Sequence, residues 1–113
     1  MRRVVVTGMG LVTPLGSGVD HCWDRLLKSH SGVSAIDNFD VSDLPAKISA
    51  QVPRGTEPGQ FDAEKYVSSK DTRRMDQFII FALGAAVQAV EDSGWKPERE
   101  EDQDRSGVMI GSG

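Results

Sequence analysis

Cys22 is the chain's one cysteine, so no intrachain disulfide can form and a disulfide-stapled scaffold is excluded. Histidine is nearly as scarce. His21 and His30 together with one cysteine make no recognisable metal-ligand spacing, and no metal is expected. Long apolar runs are missing too: the longest, residues 78–87, falls far short of the ~20 residues needed to cross a bilayer. The first residues carry the arginines of a signal peptide. The apolar run behind them ends after three valines, so there is no h-region, and the default compartment is the cytoplasm. Basic excess is also lacking: 13 Lys+Arg stand against 17 Asp+Glu, a net charge of −4, which argues against a general nucleic-acid binder. What is present is ordinary. A chain of 113 residues with 38% hydrophobic and 27% charged residues and 12 glycines fits one globular domain, or part of one. Collagen, a coiled coil and wholesale disorder are excluded.

Hydrophobic patterning divides the chain into elements. Residues 3–7, with three consecutive valines, predict a strand buried on both faces, as in a parallel sheet. Gly8, Gly10 and Gly16 with Pro14 end it in a loop. Ser17 and Asp20 form an S-x-x-D capping box for a helix. Val19, Cys22, Trp23, Leu26 and Leu27 make its apolar stripe, and Gly32 is its natural stop. Residues 33–59 carry weak signals: Ala35, Ile36 and Phe39 can dock on a core, residues 47–52 alternate as a short strand, and residues 54–60 are a loop. Residues 62–66 predict one helical turn. The strongest element is a helix from Asp71 or Thr72 to Ser93, stopped by Gly94. Between residues 78 and 87 it has no polar face, so it belongs in a core. Residues 97–105 read as a charged, solvated connection and residues 106–110 as a strand.

The order is strand, helix, short strand, helix, strand: α/β with parallel strands. Two good strands and a doubtful one make a poor sheet, since three or more with a covered face are normally needed. The long helix has more apolar surface than these partners can cover. Residues 1–113 therefore read as one piece of a larger domain, with no internal boundary.

The chemistry offered by single motifs is thin. V-V-V-T-G-M-G invites a dinucleotide-binding reading, but the fingerprint needs G-x-G-x-x-G running into a helix. Here Thr13 and Pro14 interrupt it and the next glycine is Gly16. Glycines that permit a tight turn and close backbone packing explain the cluster better, and no cofactor is expected. Cys22 lies on an apolar helical stripe. His21 is adjacent in sequence and so faces elsewhere, which makes the thiol a packed, inert one. Lys70, Arg73 and Arg74 cluster near the start of the long helix, where cations oppose the helix dipole. Local pairing with Asp71 and Asp76 explains them. The sharper alternative is a basic patch kept for an anionic partner.

Taken together, several segments resemble the start of a β-ketoacyl-acyl-carrier-protein synthase, and R-R-M-D-Q-F is closer to the type II enzyme than to type I. The carrying segments are R-R-V-V-V-T-G-M-G-L-V-T-P-L-G (residues 2–16), L-L-K-S-H-S-G-V-S (26–34), D-N-F-D (37–40), R-R-M-D-Q-F (73–78), A-V-E-D-S-G-W (89–95) and G-V-M-I-G-S-G (107–113). The resemblance implies the N-terminal part of a thiolase-like α-β-α-β-α fold, incomplete in this chain, in a subunit that normally forms a homodimer. It implies decarboxylative Claisen condensation of an acyl-enzyme with malonyl-acyl carrier protein in fatty-acid elongation. The family's catalytic cysteine and histidines match none of Cys22, His21 and His30, so no catalytic residue is expected here. Lys70, Arg73 and Arg74 match or adjoin the family's basic positions that meet the acidic acyl carrier protein, which raises the partner reading above local pairing. The resemblance equally admits a non-catalytic chain-length-factor-like subunit.

Overall fold

The computed structural model describes residues 1–112. Gly113, the last residue of the glycine-rich strand end anticipated at 111–113, lies outside the described residues. The chain forms two compact units, one of Leu11–Asp62 and one of Met1–Gly10 with the residues from Ala63 onward.

The first unit opens with a tight hairpin, β1 (Val12–Thr13) and β2 (Gly16–Ser17), which pair antiparallel with Thr13 opposite Gly16. Pro14 and Leu15 form the two-residue turn, for which proline pre-sets φ. The Thr13 hydroxyl accepts from the Leu15 N–H at 3.1 Å. Helix α1 (Val19–Leu27) follows, starting one residue later than the capping box would start it. Gly18 is its N-cap and no side chain caps it. The predicted Ser17–Asp20 box does not form, because Ser17 belongs to β2 and its N–H is committed to the Gly59 carbonyl at 2.9 Å. The stop also differs. Ser29 takes the left-handed conformation (φ 57°). The N–H groups of Ser29 and His30 return to the carbonyls of Leu26 and Arg25 at 3.0 and 2.9 Å, the paired bonds of a Schellman ending. Gly32 is not needed for it. Residues 33–50 supply β3 (Val33–Ala35) and β4 (Ile48–Ala50), again antiparallel, with Ser34 opposite Ser49. Buried Cys22 and Phe61 anchor this unit.

In the second unit a 3₁₀ turn (Ala63–Lys65) occupies the predicted turn, followed by α2 (Ser69–Thr72), α3 (Gln77–Ser93) and α4 (Glu100–Asp104). Ile80 and Gly84 are the buried residues of α3, and Val67 is also buried in this unit. Gly94 closes α3 in the left-handed region (φ 63°), as its position predicts. The predicted single helix from residue 71 or 72 is in fact two, broken across residues 73–76. Helix α4 arises in the stretch read as a plain connection. It has no apolar stripe to betray it and is held by exposed local pairs, Arg99–Asp102 (2.8 Å) and Arg105–Glu101 (4.0 Å).

The strands predicted at 3–7 and 106–110 are not formed, and the strand pairs that exist are antiparallel rather than parallel. A strand exists only when a neighbour takes up its N–H and C=O groups. Val4 (97% exposed) and Val108 (89%) have no covering layer in this chain.

Candidate functional site

The basic turn at residues 70–74 is built by a helix cap. Ser68 adopts an extended conformation as N-cap of α2 and its hydroxyl accepts the Asp71 N–H at 3.2 Å. The same hydroxyl donates to Asp71 Oδ2 at 2.7 Å, and the Thr72 hydroxyl donates to the Ser68 carbonyl at 3.0 Å. This is S-x-x-D capping chemistry, realised at 68–71 rather than at 17–20. Sequence reading missed Ser68, although the signal S-S-K-D was there to find.

Lys70 lies in the last turn of α2 and Arg73 is its C-cap, in right-handed geometry (φ −70°, ψ −14°). The turn continues as the Arg74 N–H donates to the Asp71 carbonyl at 2.9 Å. Spacing of i, i+3, i+4 along it puts the three cations on one side. The chain then extends at Asp76, which starts α3. The cations thus stand one turn ahead of the long helix, with Lys70 and Arg73 at the favourable C-terminal end of α2.

Lys70, Arg73 and Arg74 are all exposed. Among the described residues the ion pairs are Lys28–Asp24, Arg99–Asp102 and Arg105–Glu101, so none of the three takes part in one. The anticipated local pairing with Asp71 and Asp76 is absent: Asp71 is held by Ser68 instead. What remains is a cluster of exposed, unpaired positive charge.

The other singled-out residues are structural. Buried Cys22 donates its S–H to the Gly16 carbonyl at 3.2 Å and lies 3.3 Å from the Thr13 hydroxyl, so it locks the hairpin to α1. His21 packs its ring against Gly16 and Gly59, at places where a Cβ would overlap it. His30 is exposed at the end of α1. Gly8 and Gly10 lie against the backbone of α3 at Ala89 and Ala85. The space above this glycine pair is filled by a helix, which removes the basis of the dinucleotide reading. Among the described residues no cluster of His, Cys, Asp or Glu could hold a metal ion, and no helix is long and apolar enough to cross a membrane.

The family described as "Beta-ketoacyl synthase, N-terminal domain" matches residues 1–113, and the chain belongs to that family. The chain is 47% identical to the 3-oxoacyl-[acyl-carrier-protein] synthase 2 of Rhizobium meliloti (strain 1021), over all of this chain and 27% of that protein. It is 45% identical to the synthase of the same name from Vibrio cholerae serotype O1, over 99% of this chain and 25% of that one. Among solved structures, the ishigamide ketosynthase/chain length factor superposes with a TM-score of 0.67 at 30% identity, over 84% of this chain and 22% of that one. The chain thus spans about a quarter of the length of the relatives it matches. The fold is the N-terminal part of a thiolase-like ketosynthase, mixed helix and strand.

Proposed function

We propose that this chain is the N-terminal segment of an elongating 3-oxoacyl-acyl-carrier-protein synthase, and that Lys70, Arg73 and Arg74 are where the carrier protein docks. The identity of 47% to a named synthase supports the reaction, and the exposed, unpaired basic turn supports the docking role. In this reading the whole protein moves an acyl chain from carrier protein onto a cysteine. Malonyl carrier protein then loses carbon dioxide, and the carbanion left behind attacks the thioester carbonyl to give 3-oxoacyl carrier protein and the free thiol. The reacting groups come from residues other than these 113. The segment contributes framework through Cys22 and the glycine approach to α3, and recognition through its three cations. Charge at the rim of an interface acts chiefly on encounter and register. The whole enzyme is a cytoplasmic homodimer in this reading.

The experiment is a condensation assay on the whole protein with acyl and malonyl carrier proteins. Release of carbon dioxide matched one-to-one by 3-oxoacyl carrier protein is the expected result. Carrier-protein binding with no condensation would instead assign the chain to a non-catalytic, chain-length-factor-like subunit.

A further inference from the structure

The cations of the basic turn have an acidic residue in their midst. Asp71 lies between Lys70 and Arg73 in sequence, and Arg74 follows it by three residues, a spacing at which opposite charges meet on a helical turn. Yet Asp71 pairs with none of them. Its carboxylate accepts the Ser68 hydroxyl at 2.7 Å, while its own N–H is given back to that hydroxyl at 3.2 Å. We propose that Ser68 is a positioning residue that ties the Asp71 carboxylate back to the start of α2, so that it makes no direct ion pair with the cations awaiting an acidic partner. This inference rests on the docking reading above and deepens it.

The physical cause is a competition. A free carboxylate beside an arginine gains a surface ion pair, worth little in water but comparable to what each cation can offer a partner across a wet interface. The hydroxyl of an N-cap is a better-organised partner, because the backbone has already fixed both groups in place. With Asp71 satisfied, Lys70, Arg73 and Arg74 stay exposed and unpaired. Ser68 thus acts through Asp71, keeping the donor groups of the three cations free for a partner.

The test is a set of variants in the whole synthase, read as KM for acyl carrier protein against kcat. Ser68→Ala is expected to raise KM roughly two- to fivefold, the effect of one surface ion pair, with kcat unchanged. Ser68→Thr, which keeps the hydroxyl, is expected to leave KM at its original value. Ser68→Ala also removes a helix cap, so the deciding comparison is its effect in an Asp71→Asn background. There the competing charge is gone, and KM is expected to be insensitive to Ser68→Ala. An equal rise in KM in both backgrounds, or none in either, would overturn the proposal and leave Ser68 as a cap only. Charge reversal at Arg73 and Arg74 separates this from the reading beneath it. If that reversal raises KM while the Ser68 effect is the same in both backgrounds, the positioning role alone fails. If the reversal leaves KM unchanged, the docking reading fails.

Discussion

Gly10 shows how a glycine reads as chemistry in sequence and as packing in structure. A Cβ there would overlap the Ala85 carbonyl oxygen and lie 2.9 Å from the Ala89 nitrogen. The obstacle is helix backbone, which cannot step aside as a flexible side chain can. Gly10→Ala is therefore expected to destabilise the whole protein by about 1–3 kcal/mol, measured by denaturant unfolding. An unchanged midpoint would mean that residues 8–10 do not rest on α3. Cys22 makes the opposite case, a reactive residue type in an inert place. Its thiol is buried, donates to the Gly16 carbonyl and touches the Thr13 hydroxyl. Serine can make the same bonds, so Cys22→Ser is expected to keep the proposed condensation activity of the whole protein within about twofold. Loss of the reaction would give Cys22 a chemical role that nothing in its surroundings provides.

Among the elements, legibility followed the source of each element's stability. Helix α1, β4 and the end of α3 could be read from the sequence because periodicity or a stop glycine marks them. The start of α3 was misplaced because three polar residues, Ser68, Asp71 and Asp76, all suit a helix start. Only the fold shows that Ser68 caps α2 while Asp76 begins α3. The basic turn was legible as residues but not as geometry, for the same reason. Helix α4 was invisible to periodicity because ion pairs, not burial, organise it. The Arg99 guanidinium grips Asp102 with two bonds, at 2.8 and 3.0 Å, and holds that carboxyl below the usual carboxylate range. A depressed folded value means a contribution that is present above the ordinary carboxylate range and lost as pH falls through the folded one. Acidification below pH ~4 is thus expected to loosen α4 before the core responds. Arg99→Ala should return the Asp102 titration to the ordinary range, observable by carboxyl-carbon NMR. An Asp102 that titrates there in the unaltered protein would contradict the pairing.

For the whole chain, the missing strands and the exposed apolar residues have a common physical origin. Val4, Val5, Val6, Phe78, Val90, Trp95, Val108, Met109 and Ile110 are each more than half exposed. Covering such side chains is worth about 1.5–3 kcal/mol apiece. Scaled by the exposure each retains, that is on the order of 10–20 kcal/mol, comparable to the ~5–15 kcal/mol by which a domain is normally stable. The sequence reading found the same deficit as a long apolar helix with too few sheet neighbours. It could not show that residues 3–7 and 106–110 would fail to pair, because β pairing is decided by partners distant in the chain. Expressed alone, the 113 residues are expected to bind hydrophobic dye and to lose helical signal gradually on heating. A sharp cooperative melt of the monomer would show that these residues complete their own core.

The proposed docking role is tested most directly by the KM of the whole protein for acyl carrier protein, measured across a range of salt concentrations. Arg73→Glu combined with Arg74→Glu is predicted to raise that KM roughly tenfold at low salt and to flatten its rise with added salt, as expected for the loss of exposed charge pairing. The same KM and the same salt dependence in the variant and the unaltered enzyme would contradict it.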